Sequence, residues 1–138
     1  MKKLSVKQRK AAYLKEAIAT VELWRGRMFL QEWNIDVNIE ERDKDENPDV
    51  LAEINADARY LGAKLTIYPA WTRRPYETRC RALVHELAHC ITTELQCAAK
   101  SLHNGVTYPP HMVSDINERL TQRVANVAML GWEKKGQR

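Results

Sequence analysis

The spacing of two histidines near the middle of the chain limits its fold more than any other feature. His85 and His89 enclose Glu86 in the pattern His-Glu-x-x-His. On an α-helix, residues four apart lie on one face, one turn above the other. Two imidazoles so placed can both reach one zinc ion at about 2.0–2.1 Å. The motif therefore predicts a helix with two metal ligands, and with Glu86 beside them to act on a water at the metal.

The segment around this motif, residues 76–95, has the periodicity of a single helix. Apolar side chains recur in it every three or four residues. These are Cys80, Val84, Leu87, Ile91 and Leu95. Imidazoles on such an apolar helix need polar partners where they are buried. Without a metal, the alternative interpretation is that His85 is a hydrogen-bonded core histidine and His89 a surface histidine.

The residues before the motif predict one helix and three strands. Ser5-Val6-Lys7-Gln8 fits a capping box, and the helix that it opens should end near Trp33. The apolar stripe of this helix consists of Ala11, Leu14, Ile18, Val21 and Met28. Alternation of apolar and polar residues then predicts three strands. They cover residues 35–39, 52–56 and 61–67.

The residues after the motif predict a loop and a last helix. Asn104-Gly105 and Pro109-Pro110 indicate a long loop at 97–110. The last helix runs from about Val113 to Trp132, with its apolar stripe at helical spacing. That stripe consists of Ile116, Leu120, Val124 and Val127. The order helix, three-stranded mixed sheet, motif helix, loop and helix predicts an α+β fold.

Length and composition agree with one domain that spans residues 1–138. The chain is 44% hydrophobic, enough to build a core of its own. No apolar run approaches the roughly 20 residues that cross a bilayer, and the first residues lack a signal-peptide stretch. We therefore expect a cytoplasmic protein with no membrane partner. The net charge of +4 is spread along the chain, which predicts a solvated surface rather than a nucleic-acid interface.

Two histidines do not complete a catalytic zinc site, which usually has three protein ligands and an open position. Glu118 on the last helix is our candidate for the third. Small and apolar residues on its side of the helix suit close packing against another helix, and they are Thr121, Ala125, Ala128 and Met129. A carboxylate that enters such a surface needs a counter-charge, which zinc would supply. The alternative is an exposed Glu118 paired with Arg119 or Gln122.

His103 is the main rival for the third ligand and His111 is the next, because imidazole also binds zinc well. His103, His111 and Tyr108 lie in or beside the predicted loop. Each could instead donate to the oxyanion of a tetrahedral intermediate, or be an ordinary surface residue. The sequence does not rank these three donors.

These residues resemble a very small zincin metallopeptidase of the gluzincin type, in which a glutamate is the third ligand. Compact proteins of this kind occur among prophage and bacterial genes, including relatives of the ImmA/IrrE type. The resemblance spans residues 35–130 and is carried by the strands, the motif helix and the helix with Glu118. It implies a zincin-like fold, with Zn²⁺ on His85, His89 and Glu118. It also implies Glu86 as base and a peptide or protein substrate along the strand at 51–57.

The chain departs from the larger gluzincins at one position. They carry an aspartate four residues after the ligand glutamate, where this chain has Gln122. A carboxylate that would orient the metal ligands is therefore missing here, or another residue takes its place. SprT-like proteases use a third histidine shortly after the motif, and His103 is close to that spacing. This chain lacks their zinc ribbon, because its three cysteines form no Cys-x-x-Cys pair.

The function expected from these residues is that of a zinc metalloendopeptidase. A zinc-activated water would attack the peptide carbonyl, with Glu86 as general base and then as proton donor to the leaving amine. Two alternatives stay open. One is a zinc-dependent hydrolase of a non-protein substrate, and the other is a catalytically weak or inactive zinc-binding scaffold or regulatory protein. The presence of Glu86 speaks against the second, because a structural zinc site does not need it.

Overall fold

The computed structural model describes residues 5–44, 47–102 and 110–133, and these form an α+β fold, as the sequence predicts. The elements, in chain order, are helix α1 (Val6–Arg27), strands β1 (Asn34–Ile39), β2 (Ala52–Asp57) and β3 (Gly62–Ile67), and helices α2 (Pro69–Thr72), α3 (Tyr76–Leu102) and α4 (Pro110–Glu133). None of the helices in these residues is long and apolar enough to cross a membrane.

The three strands form the predicted mixed sheet in the order β1-β3-β2, with β1 parallel and β2 antiparallel to β3. Strand β2 is therefore an edge strand. The Tyr68 N–H donates to the Leu51 C=O over 3.0 Å. This bond shows that Leu51, and with it every second residue after it in β2, forms a hydrogen-bonded pair with β3. In an antiparallel pair, alternate residues turn their backbone groups away from the partner. Ala52, Ile54 and Ala56 thus direct their N–H and C=O groups toward the free edge.

Helix α3 is the centre of the fold, packed against β2, α1 and α4. Its apolar side is completely buried, at Leu83, Val84, Leu87, Ala88 and Cys90. Burial of this many apolar side chains contributes roughly 1.5–3 kcal/mol for each large one. The position of the His-Glu-x-x-His motif is therefore fixed by the core and not by a loop.

Helix α1 ends at Arg27, so the predicted end near Trp33 is wrong. The chain reverses there through a Schellman motif, in which the Leu30 N–H donates to the Arg25 C=O over 2.9 Å. Phe29 takes the left-handed conformation that this motif requires, with φ at 58°. The predicted stripe is also rotated, because Ala11 and Ile18 are exposed. The buried face is Ala17, Thr20, Val21 and Trp24, since the large Trp24 ring takes the core position.

Helix α3 continues through Leu102, so the predicted loop at 97–110 is wrong for its first six residues. Those residues include alanines, a lysine and a leucine, which favour helix, and the first glycine comes only at Gly105. Helix α4 also begins earlier than predicted, at Pro110, where proline suits a first helical turn. The rest of the predicted loop lies outside the described residues. The short helix α2 after β3 was not predicted, although Pro69 at its first position is a helix-start signal.

Helix α4 presents a different face to the core from the one that its apolar stripe predicts. Leu120 and Val127 are 39% and 70% exposed. Val124 of the predicted stripe is partly buried against the core, and the side chain of Ile116 lies outside the described residues. Among the described side chains of α4, the buried ones are Thr121, Ala125 and Met129, as expected for the Glu118 side of the helix. Two of these three are small, which lets the axis of α4 approach α3 closely. The same rotation brings polar residues of α4 against the motif histidines.

A substitution at Phe29 tests the end of α1. A residue with a Cβ is strained at this φ, and Phe29 is 86% exposed, so Phe29→Gly removes strain and little packing. We expect the free energy of unfolding in urea to rise by about 1 kcal/mol. Arg27→Gly, two residues earlier and still helical, should instead lower it by about 1 kcal/mol. An equal loss of stability in both variants would contradict the motif.

Candidate metal centre

Helices α3 and α4 bring the predicted ligands together. His85 and His89 lie one turn apart on α3, with ring centroids 5.1 Å apart. The Glu118 carboxylate on α4 lies 3.5 Å from His85 Nε2 and 3.2 Å from His89 Nε2. Ligand atoms of all three residues lie within 4.8 Å of one another. Zinc bond lengths place tetrahedral ligand atoms about 3.3 Å apart, so these separations fit a zinc ion.

A hydrogen bond from α4 decides which nitrogen of His85 can bind a metal. His85 Nδ1 lies 3.0 Å from Gln122 Oε1, and the Gln122 amide N–H donates to Asn126 Oδ1 over 2.8 Å. A carbonyl oxygen only accepts, so Nδ1 carries the proton and Nε2 presents its lone pair. That lone pair faces the Glu118 carboxylate. Two acceptors in this arrangement repel each other unless a cation lies between them. A metal site has the same arrangement of facing acceptors.

Gln122 orients the His85 ring. It contacts Nδ1 of His85 and leaves Nε2 directed at Glu118, in the way that outer hydrogen bonds orient histidine ligands at metal sites. The sequence shows a glutamine at position 122 but not this contact, because it cannot show which α4 residues face α3.

The surroundings of His89 favour the form of the ring that binds metals. Burial lowers the pKa of His89, the nearby His85 lowers it further, and the Glu118 carboxylate opposes the change. The net effect favours the neutral imidazole, and only the neutral ring has a free lone pair for a metal.

Glu86 lies beside the ligands and is absent from the ligand cluster. Its Oε2 accepts a hydrogen bond from the Ile54 N–H over 2.9 Å. Burial raises the pKa of Glu86 to about 8, and the carboxylates of Glu118 and Glu53 add to the rise. Lys44 and the Ile54 N–H oppose it. A cation bound next to Glu86 would favour its ionised form, since opposite charges stabilise one another.

The three ligands and Glu86 line one open cleft of about 560 Å³. One wall is strand β2, and the other walls are α3 and α4. The remaining lining residues are Glu53, Ile54, Asn55, Ala56, Thr93 and Asn117. The Lys44 ammonium pairs with the Glu53 carboxylate at this wall. The cleft therefore combines a potential metal site, a buried carboxylic acid and the free edge of a sheet.

The candidate oxyanion donors are not placed by the structure. His103 and Tyr108 lie outside the described residues. His111 belongs to α4, but its side chain lies outside them as well. The sequence also missed contributors that are now visible, namely the Ile54 N–H and the Gln122 amide. Both depend on contacts between distant segments, for which no local signal exists.

Comparisons with protein-family models, with curated proteins and with solved structures find no match to this chain.

The pKa of Glu86 predicts how the stability of the metal-free protein depends on pH. The folded value of about 8 exceeds the ordinary value of 4.5, so the folded state binds this proton more tightly. That contribution is complete below about pH 4.5 and is lost as pH rises through about 8. Glu86→Gln cannot ionise and keeps an oxygen for the Ile54 N–H. In the presence of EDTA, this variant should exceed the wild type in unfolding free energy at pH 9 by on the order of 2–4 kcal/mol.

The same urea titrations at pH 5 are the control. There Glu86 is protonated in the folded protein, and the two proteins should have similar stability. A difference that stays constant between pH 5 and pH 9 would show that Glu86 does not titrate as its burial requires.

Proposed function

We propose that this chain is a zinc-dependent metallopeptidase, with zinc on His85, His89 and Glu118 and with Glu86 as general base. One observation carries the proposal. Donor atoms of His85, His89 and Glu118, all suited to zinc, converge at the wall of a cleft. A fourth group, the Glu86 carboxyl, is not among these donors and contacts the free sheet edge. A purely structural metal site would have no use for that fourth group.

The catalytic role of Glu86 follows from its place in the cleft. Zinc, when bound, supplies a Lewis acid and lowers the pKa of a coordinated water to about 7. Glu86 lies next to both histidine ligands on α3 and is directed toward β2. From there it can accept a proton from the attacking water and deliver it to the leaving amine.

The free edge of β2 favours a peptide over other substrates. Ala52, Ile54 and Ala56 direct their backbone groups to this edge, where an extended peptide could add as a further strand. The Ile54 N–H is hydrogen-bonded to Glu86. A substrate carbonyl that paired with Ile54 would take over this donor and release the Glu86 carboxylate for catalysis. Small esters and amides offer no strand to pair, which distinguishes this proposal from a general zinc hydrolase.

The third ligand decides between the gluzincin-like proposal and the SprT-like one. Glu118 is held by a helix, and its carboxylate already lies within 3.5 Å of both histidine Nε2 atoms. We expect Glu118→Ala to weaken zinc binding by more than about 100-fold in a chelator competition titration, because one of three ligands is lost. His103→Ala should leave the affinity within a few-fold of the wild type. The opposite ranking would favour the SprT-like proposal.

The role of Glu86 is tested by separating metal binding from catalysis. Glu86→Gln keeps the shape of the side chain and removes the base. Elemental analysis should still find one zinc per chain, while hydrolysis of a peptide library should fall by about 100- to 10,000-fold. Glu77→Gln is the matched control, because Glu77 lies exposed in the first turn of the same helix. It should change neither quantity.

Two outcomes of that experiment would exclude the proposal. Wild-type activity in Glu86→Gln would remove Glu86 from the mechanism. Zinc-loaded wild-type protein that cleaves esters or small amides, but no member of the library, would point to a non-protein substrate.

A further inference from the structure

The non-ligating nitrogen of His89 is also directed at α4. His89 Nδ1 lies 3.1 Å from the Thr121 hydroxyl. Thr121 is completely buried, and so, very nearly, is Thr92, whose hydroxyl lies 2.9 Å from that of Thr121. Buried hydroxyl groups between two helices lose their water and need protein partners. Neither threonine takes part in the proposed hydrolysis.

The hydrogen bonds around Thr121 fix the role of its oxygen toward His89. A hydroxyl group has one proton, and the 2.9 Å contact between the Thr92 and Thr121 hydroxyl groups uses one of the two. If Thr92 donates to Thr121, the Thr121 proton can go to Asn117 Oδ1 over 3.4 Å, since the Asn117 amide N–H donates to Gln96 Oε1. If Thr121 donates to Thr92, the Thr92 proton can go to the His89 C=O over 3.3 Å. In both arrangements the Thr121 oxygen accepts from His89 Nδ1 over 3.1 Å.

We propose that Thr121 is a positioning residue for the metal centre. Its oxygen accepts the Nδ1 proton of His89, which holds the ring in the tautomer that presents the Nε2 lone pair to the metal. This role rests on the proposed zinc site but not on the peptidase reaction. Helix α4 would then supply one ligand, Glu118, and both groups that orient the histidine rings, Thr121 and Gln122. These two lie three and four residues after Glu118, where a helix places side chains on one face.

The Glu118 carboxylate competes with Thr121 for the proton of the His89 ring. The Glu118 Oε1 lies 3.2 Å from His89 Nε2. If the proton of the neutral ring moved to Nε2, His89 would donate to Glu118, and both groups would be lost as ligands. Thr121 opposes this change by holding the proton on the far side of the ring. The pair Gln122 and His85 has the same relationship.

The experiment compares Thr121→Val, which has nearly the same shape without the hydroxyl, with Thr121→Ser, which keeps it. The first readout is the ¹⁵N chemical shifts of the His89 ring in metal-free protein, at a pH where the imidazole is neutral. We expect the Nδ1–H tautomer in the wild type and in Thr121→Ser, and a shift toward Nε2–H in Thr121→Val. The second readout is zinc affinity by chelator competition. It should fall by about 10- to 100-fold in Thr121→Val and recover in Thr121→Ser.

Thr92→Val distinguishes the positioning role of Thr121 from a general effect of altered packing. This variant disturbs the same buried pair but keeps the acceptor for His89, so both readouts should stay near wild type. An unchanged tautomer and unchanged affinity in Thr121→Val would overturn the proposal. If that variant does not fold, the wild type still decides, because an Nε2–H tautomer of His89 in the metal-free protein contradicts the role. Absence of peptidase activity would refute the proposed function alone, since neither readout requires turnover.

Discussion

The close contact between α3 and α4 is the interaction on which the candidate site depends. Thr121 and Ala125 are small and buried at this contact, so the two helices approach near enough for short polar side chains to meet. The hydroxyl groups of Thr92 and Thr121 lie 2.9 Å apart. A larger residue at either position would separate the helices and carry Glu118 away from the histidines. The position of the candidate metal ligands therefore depends on how closely α3 and α4 pack.

A second contact, between α3 and the edge strand, joins the proposed chemistry to the substrate. The Glu86 carboxylate is bonded to the Ile54 N–H, so the base and the backbone that would pair with a peptide are in direct contact. Burial favours the protonated acid, whereas a bound cation favours the carboxylate. The state of Glu86 would thus depend on whether the metal is present. This coupling would keep the metal-free protein from acting as a base catalyst at neutral pH.

The local elements were predicted well where a periodic pattern coincided with burial. The strands and the motif helix have strong periods of two and of about 3.6 residues, and the structure contains all of them. The errors occurred where the pattern and the burial disagree. In α4 the predicted stripe is exposed at Leu120 and Val127, because the side with small residues packs more closely. At the end of α1, Phe29 takes the left-handed conformation that glycine usually takes. The sequence therefore has no glycine there to indicate the end of the helix.

The sequence by itself determined the helix that carries His85, Glu86 and His89, the α+β class and the candidacy of Glu118, because each rests on residue types and on spacings within one element. Only the tertiary structure decided that Glu118 lies beside both histidines, that α4 orients their rings, and that Glu86 contacts an edge strand. Those contacts join segments about 30 residues apart along the chain. Their geometry follows from how whole helices and strands pack into one core, and such packing is a sum over many side chains that no local pattern contains.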